Sequence, residues 1–160
     1  MSGVQLGKKV PAFKAAATGG GTFSLADAKG GNLVVYFYPK DSTPGCTREG
    51  QDFRDNYSKF KRNKTQVVGV SRDSLASHEK FSARQELPFP LLSDGDETLC
   101  RLFDVIKEKN MYGRKVMGIE RSTFLIDAAG KLRREWRKVK VDGHVDEVLE
   151  AVRELNRSKS

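Results

Sequence analysis

Two cysteines occur in the 160 residues, and one of them stands where a strand gives way to a helix. Residues 33–38, Leu-Val-Val-Tyr-Phe-Tyr, form an apolar run that reads as a buried strand. Pro39-Lys-Asp-Ser-Thr43-Pro44-Gly-Cys46 follows, and a segment with helical periodicity comes next. Thr43 before Pro44 reads as a helix start: a hydroxyl cap, then proline at the first helical position, where its missing N–H costs nothing. Cys46 then falls in the first turn. Unpaired backbone N–H groups and the positive end of the helix dipole meet there, and both favour a thiolate over a thiol. Cys46, Gly50, Phe53, Tyr57 and Phe60 share one helical face, so the sulfur looks inward with the aromatics and Gly50 leaves space beside it. The chemistry open to such a sulfur is nucleophilic. A plain buried cysteine is the alternative that this position, taken alone, leaves open.

Several other chemistries fail on spacing. A disulfide oxidoreductase needs Cys-x-x-Cys, and neither Cys46 nor Cys100 has a partner at that distance. A phosphatase loop of the form Cys-x5-Arg fails because Asp52 stands at the sixth position after Cys46. Asp94-Gly-Asp-Glu97 suggests calcium, but a calcium loop starting there needs glutamate at its twelfth position, where Val105 stands. The acids read better as a turn entering the next helix. Ser74 and His78 lie one helical turn apart without a carboxylate to complete a set, so His78 reads as a surface histidine, as does His144. Net charge is +8, from 29 Lys and Arg against 21 Asp and Glu. The cations are scattered along the chain, which argues against a nucleic-acid footprint. A non-enzymatic binding module using this basic surface is a further class of reading, beside an enzyme built on the Cys46 nucleophile.

The pattern Pro39-x-x-x-Thr43-x-x-Cys46 resembles the active-site signature of peroxiredoxins. Tyr38-Pro-Lys-Asp-x-Thr-Pro-Gly-Cys-Thr-x-Glu49 is similar to the Q-type branch, also called bacterioferritin comigratory protein. Arg121-Ser-Thr-Phe-Leu-Ile-Asp127 matches that family's second landmark, an arginine entering a late core strand, and Gly7-x-x-Val10-Pro-Ala-Phe13 resembles its opening. The resemblance covers nearly the whole chain. It implies a thiol-dependent peroxidase that reduces hydrogen peroxide and organic hydroperoxides through a Cys46 thiolate and a sulfenic acid. It implies peroxide as substrate, a thioredoxin or glutaredoxin-type reductant, a monomer, and neither cofactor nor metal. Arg121 would stabilise the thiolate and hold the peroxide oxygens. Thr43 would give its hydroxyl to the peroxide beside the Cys46 N–H, and Pro39 would shield the sulfur from water. Glu49 matches a family acid. A carboxylate repels a thiolate, so Glu49 reads as orienting Arg121 or capping the helix. Many Q-type members carry a resolving cysteine five residues after the first, where this chain has Gln51. Others carry it in the next helix, at the place matching Ser82. Serine there is either native to a one-cysteine enzyme or a substitution that blocks a disulfide. Cys100, among Leu102 and Phe103, reads as a core cysteine and is the remaining candidate resolving thiol.

The elements that must position these residues follow from the apolar pattern. Residues 14–31 are rich in Gly and Ala and read as hairpin and turn. Residues 33–38, 66–70, 89–93, 121–127 and 132–141 read as strands. Helices follow Thr43, span about a dozen residues from Ser74 to Gln85, carry Cys100 to Phe103, and close the chain over residues 145–155. Residues 107–118 read as a loop, and residues 157–160 as a frayed tail. Strands alternating with helices argue an α/β architecture, with the last two strands antiparallel and the sheet therefore mixed. The resemblance implies a thioredoxin-like fold: a central mixed β-sheet, helices on both faces and an N-terminal hairpin extension. One domain over residues 1–160 is expected. The N-terminus lacks the apolar core of a signal peptide, the longest apolar runs are far too short to span a bilayer, and two cysteines suit a reducing compartment. These features predict a cytoplasmic protein with no nucleic-acid or membrane partner.

Overall fold

In the computed structural model, which describes residues 3–158, the elements follow one another as strands and helices. The first strands, β1 (Lys14–Ala17) and β2 (Gly21–Ser24), form a hairpin, and a short 3-10 turn (Leu25–Ala28) leads on. Then come β3 (Asn32–Phe37), α1 (Pro44–Arg62), β4 (Thr65–Ser71), α2 (Leu75–Gln85), β5 (Leu91–Ser93) and α3 (Thr98–Leu102). The chain closes through β6 (Ile106–Met111), β7 (Arg114–Ile119), β8 (Ser122–Ile126), β9 (Leu132–Trp136) and α4 (His144–Arg157). Seven strands make one sheet in the order β2-β1-β5-β4-β3-β8-β9, with β3, β4 and β5 parallel and the remaining neighbours antiparallel. This is the expected mixed sheet with its N-terminal hairpin at one edge.

Every residue of β3 is buried, as a continuous apolar run covered on both faces requires. Its alternate residues serve different cores. Leu33, Val35 and Phe37 join Val68, Phe103 and Phe124 on one side, where Cys100 of α3 also lies. Val34, Tyr36 and Tyr38 join Phe53, Phe60, Phe81 and Val148 on the other, together with Cys46. The helices thus divide, with α1, α2 and α4 on the Cys46 side and α3 opposite. Gly69 in β4 has a packing reason: a Cβ there would sit 2.8 Å from the Tyr36 ring and 2.9 Å from Leu91. No helix among the described residues is long and apolar enough to cross a membrane.

Four expectations are corrected. Residues 107–118 are not a loop but the β6–β7 hairpin, joined by Tyr112 and Gly113 with φ of 53° and 77°. The strand expected over residues 132–141 ends at Trp136, because the chain turns so that Arg137 can donate to the carbonyls of Phe103 and Asp104. Neither histidine is on the surface. His144 opens α4 buried, its Nε2 2.8 Å from the Thr123 hydroxyl and its ring edge-on to Trp136. Burial and the Arg121 cation push its pKa down to about 4. Of the expected tail, Arg157 still belongs to α4, and residues 159 and 160 lie outside the described residues.

His78 is wholly buried, and it anchors the chain ahead of α1. Its Nε2 faces the Leu92 carbonyl at 2.9 Å and its Nδ1 faces the Asp41 carboxylate at 2.7 Å. Asp41 also accepts from the Tyr38 hydroxyl (2.7 Å) and the Ser77 hydroxyl (2.8 Å), while its backbone N–H donates to Asp73 (2.9 Å). These hydrogen bonds outweigh burial and hold the Asp41 carboxyl below the usual carboxylate range. Removing one partner of a buried pair strands the other. His78→Ala should therefore cost stability at the low end of that effect, about 3 kcal/mol, since Asp41 keeps two hydroxyl donors. A urea denaturation midpoint left unchanged by the substitution would contradict this.

Candidate active site

Cys46 is the third residue of α1, and its sulfur is buried against the aromatic side of that helix. The expected face holds: Cys46, Gly50, Phe53 and Phe60 are buried and Tyr57 is partly so. Phe53 stacks on Tyr36 with centroids 4.5 Å apart. Pro44 stands at the first helical position, as expected, with Thr43 extended just before it. The capping role read for Thr43 is not what the structure has. Its hydroxyl donates to the Lys40 carbonyl at 2.8 Å and makes no side-chain cap. With its proton committed there, that oxygen can meet a further ligand only as an acceptor. Pro39 is half-buried in the same loop, between β3 and α1.

Sheet register brings the arginine to the sulfur. Phe37 of β3 pairs with Ser122 of β8, so Arg121 falls beside the junction where β3 gives way to α1. Its backbone carbonyl is pinned by the Val139 N–H at 3.0 Å. One guanidinium nitrogen, Nη2, donates to Cys46 Sγ at 3.4 Å, and Nη1 donates to Glu49 Oε1 at 2.6 Å. A hydrogen bond from a fixed cation is stronger to the sulfur anion than to the thiol. Gly45 is part of the same fit, since a Cβ there would lie 3.1 Å from Arg121 Nη2. Nothing in the sequence had marked Gly45 beyond its place in the signature.

Glu49 Oε1 accepts the hydrogen bond from Arg121 Nη1, the contact that its expected orienting role requires. It is fully buried, and burial raises its carboxyl to about 7 although Arg121 pulls it down. Its second oxygen, Oε2, has no hydrogen-bond partner among the described residues, nor has the buried Tyr36 hydroxyl. The raised value makes stability depend on pH. Unfolded, the carboxyl releases its proton near 4.5; folded, it holds it to about 7. Between those values the native state binds more protons, so stability present below pH 4.5 is lost as pH rises through 7. We expect Glu49→Gln to remove about 3 kcal/mol of this loss, measured as the difference between the two proteins' urea stabilities at pH 4.5 and 8. His144 runs the other way, losing its contribution as pH falls from 6.5 towards 4, and it is common to both proteins, so the difference isolates Glu49.

The remaining expected residues lie apart from this cluster. Ser82 sits partly buried in α2, and Gln51 in α1 donates to Gln85 of α2 at 2.8 Å. Cys100 is in the opposite core, and burial with the Asp94 carboxylate beside it pushes its thiol far above the usual cysteine range. The acids at 94–97 do enter α3 as expected. Asp94 is buried and accepts the N–H groups of Leu99 and Cys100 at 3.0 and 2.8 Å. A residue that sequence reasoning missed is Lys109, on the segment read as a loop. Its side chain packs over Gly118, and burial with the Arg121 cation lowers its pKa while the Cys46 sulfur acts against them.

The thiol at this helix tip is thus hydrogen-bonded to a partly buried arginine that a buried carboxylate holds. Residues 6–135 match the AhpC/TSA family. The chain is 58% identical over 135 residues to Peroxiredoxin Bcp of Xanthomonas campestris, covering 84% of each chain. The chain belongs to the peroxiredoxins. Among other members, Peroxiredoxin Bcp of Bacillus subtilis is 47% identical over 96% of this chain and 98% of its own. A solved Xanthomonas campestris bacterioferritin comigratory protein, studied for alkyl peroxide reduction, superposes with a TM-score of 0.86 at 54% identity, covering 90% of this chain and 92% of that one. Xylella fastidiosa PrxQ superposes at 0.89 with 44% identity, over 94% and 96% of the two chains. This peroxiredoxin has the thioredoxin-like fold and is a thiol-dependent peroxidase.

Proposed function

We propose that Cys46 is the peroxide-reducing thiol, that Arg121 holds the peroxide, and that the chain works as a monomeric single domain in the cytoplasm. The observation that carries this reading is the 3.4 Å contact between Arg121 Nη2 and Cys46 Sγ at the first turn of α1. The Cys46 thiolate attacks one peroxide oxygen, the sulfur–oxygen bond forms, and the O–O bond breaks. The departing hydroxide or alkoxide takes up a proton, and the sulfur, oxidised by two electrons, becomes a sulfenic acid. Arg121 and the Cys46 N–H face the oxygens on which charge develops. The Thr43 oxygen accepts the hydrogen bond of the incoming hydroperoxide, and Pro39 keeps water from the sulfur. Glu49 acts by holding Arg121. The alkyl peroxide reduction studied in the Xanthomonas relative supports organic hydroperoxides as substrates beside hydrogen peroxide.

Regeneration takes two thiols from outside the chain. One attacks the sulfenic sulfur and releases water, leaving a mixed disulfide; the second releases Cys46. A thioredoxin or glutaredoxin-type protein supplies them. Serine at position 82 and the burial of Cys100 across the sheet favour this one-cysteine cycle over an internal disulfide. The test is mass spectrometry after one equivalent of peroxide. One added oxygen on Cys46, with no cross-link, is expected. A Cys46–Cys100 disulfide would replace the one-cysteine cycle with an internal one, and an unmodified Cys46 would end the proposal.

A further inference from the structure

Four of the five large apolar side chains exposed among the described residues sit on the β6–β7 hairpin: Met111 (50%), Tyr112 (100%), Val116 (38%) and Met117 (57%). The hairpin forms a two-stranded sheet of its own, apart from the main one. Packing does not explain these residues. Tyr112 is the hardest to account for, since it occupies the first position of a two-residue turn at φ 53°. Asparagine, aspartate or glycine suits that backbone, and a tyrosine there is strained while burying nothing.

Register fixes how the apolar groups are arranged. Lys109 pairs with Val116 and Met111 with Arg114, placing those four on one face. Glu108 pairs with Met117 and Asn110 with Lys115 on the other. Apolar side chains therefore stand on both faces as well as at the apex. A protein partner docking on a hairpin covers one face; a medium that surrounds the tip covers both. The cations point to the charge of that medium. Lys107, Lys109, Arg114 and Lys115 oppose the single acid Glu108, and Arg114 and Lys115, nearest the apex, make no ion pair among the described residues. A tyrosine at the apex with cations just behind it is the pattern of a bilayer interface, the ring at headgroup depth and the long cationic chains reaching anionic headgroups.

We propose that the tip of the β6–β7 hairpin docks on anionic lipid bilayers, seating Tyr112, Met111 and Met117 among the headgroups. No spanning segment is needed for such a contact. The expectation of no membrane partner followed from the lack of a span, and a surface-lying tip falls outside that argument. The net charge of +8 adds long-range attraction to an anionic surface. The docking itself does not depend on the peroxidase reading.

The test is co-sedimentation of the full chain with vesicles of pure phosphatidylcholine and of phosphatidylcholine mixed with phosphatidylglycerol. Binding to the mixed vesicles at low salt is expected, with weakening at high salt and little binding to the neutral ones. Met111→Ser combined with Tyr112→Ser should lower binding about tenfold, and so should Arg114→Glu combined with Lys115→Glu. Turnover of a soluble peroxide with dithiothreitol should stay at the wild-type level in both, showing that they fold. Absence of binding to the mixed vesicles overturns the proposal. So does equal binding by the Met111→Ser, Tyr112→Ser variant, which would reduce the effect to bulk charge. If that variant instead slows turnover with thioredoxin while leaving vesicle binding intact, the hairpin serves a protein and the bilayer assignment is wrong.

Discussion

Cys46→Ser is expected to consume peroxide no faster than the reductant does alone, while Cys100→Ala turns over at close to the wild-type rate. The two thiols are chemically far apart. Only the thiolate is a strong nucleophile, and a serine hydroxyl in the same place stays protonated. Cys46 has a guanidinium donor on its sulfur and sits at a helix tip. Cys100 has the opposite environment, with its thiol pushed well above the usual cysteine range by burial and by the Asp94 carboxylate. It is also on the far side of the sheet, among Leu99, Phe103 and Phe124. No route joins it to the Cys46 sulfur without dismantling the core. Peroxide loss followed with a colorimetric probe, in dithiothreitol, separates the two variants. Equal losses in both would mean that Cys100 takes part in the cycle.

The sheet was readable in the chain because most of its strands are buried. Residues 33–38 and 66–70 are apolar runs, residues 121–127 carry a shorter one at Phe124-Leu-Ile126, and such runs have few alternatives in a globular core. The β6–β7 hairpin was not readable because it is buried only at its base, at Ile119 and Gly118, while along its outer length cations and apolar residues do not alternate and no period of two appears. Burial of His78 depends on Asp41, 37 residues away, and on the Leu92 carbonyl, neither of which helical spacing around His78 reveals. His144 hides for the same reason, its partner Thr123 lying on β8, 21 residues earlier. The helix start at Pro44 was legible and the cap was not, since a threonine hydroxyl has two ways to bond locally and here takes the Lys40 carbonyl. Arg121 is a different case. Nothing in spacing joins it to Cys46, 75 residues earlier; that expectation came from family resemblance, and the β3–β8 register is its physical basis.

Arg121→Met should lower kcat/KM for peroxide by about 10²- to 10³-fold, the loss expected when one preorganised donor to a developing charge is removed from a buried site. Lysine is a poor substitute. Two different nitrogens of one planar group serve Glu49 at 2.6 Å and Cys46 at 3.4 Å, and a single ammonium cannot reproduce that fork. The effect on Glu49 shows how the three residues are ordered. Burial already lifts its carboxyl to about 7, and the Arg121 cation is the main influence pulling it back. Without that cation the carboxyl keeps its proton to still higher pH and has nothing left to orient. Glu49→Gln should accordingly cost about tenfold in the native background, through a looser guanidinium, and nothing further once Arg121 is methionine. A double-mutant cycle on kcat/KM measures this directly. Losses that simply multiply would give Glu49 a role of its own at the sulfur. Losses that fail to accumulate place it behind Arg121, as the buried ion pair suggests, so that the carboxylate acts on the peroxide only through the cation it holds.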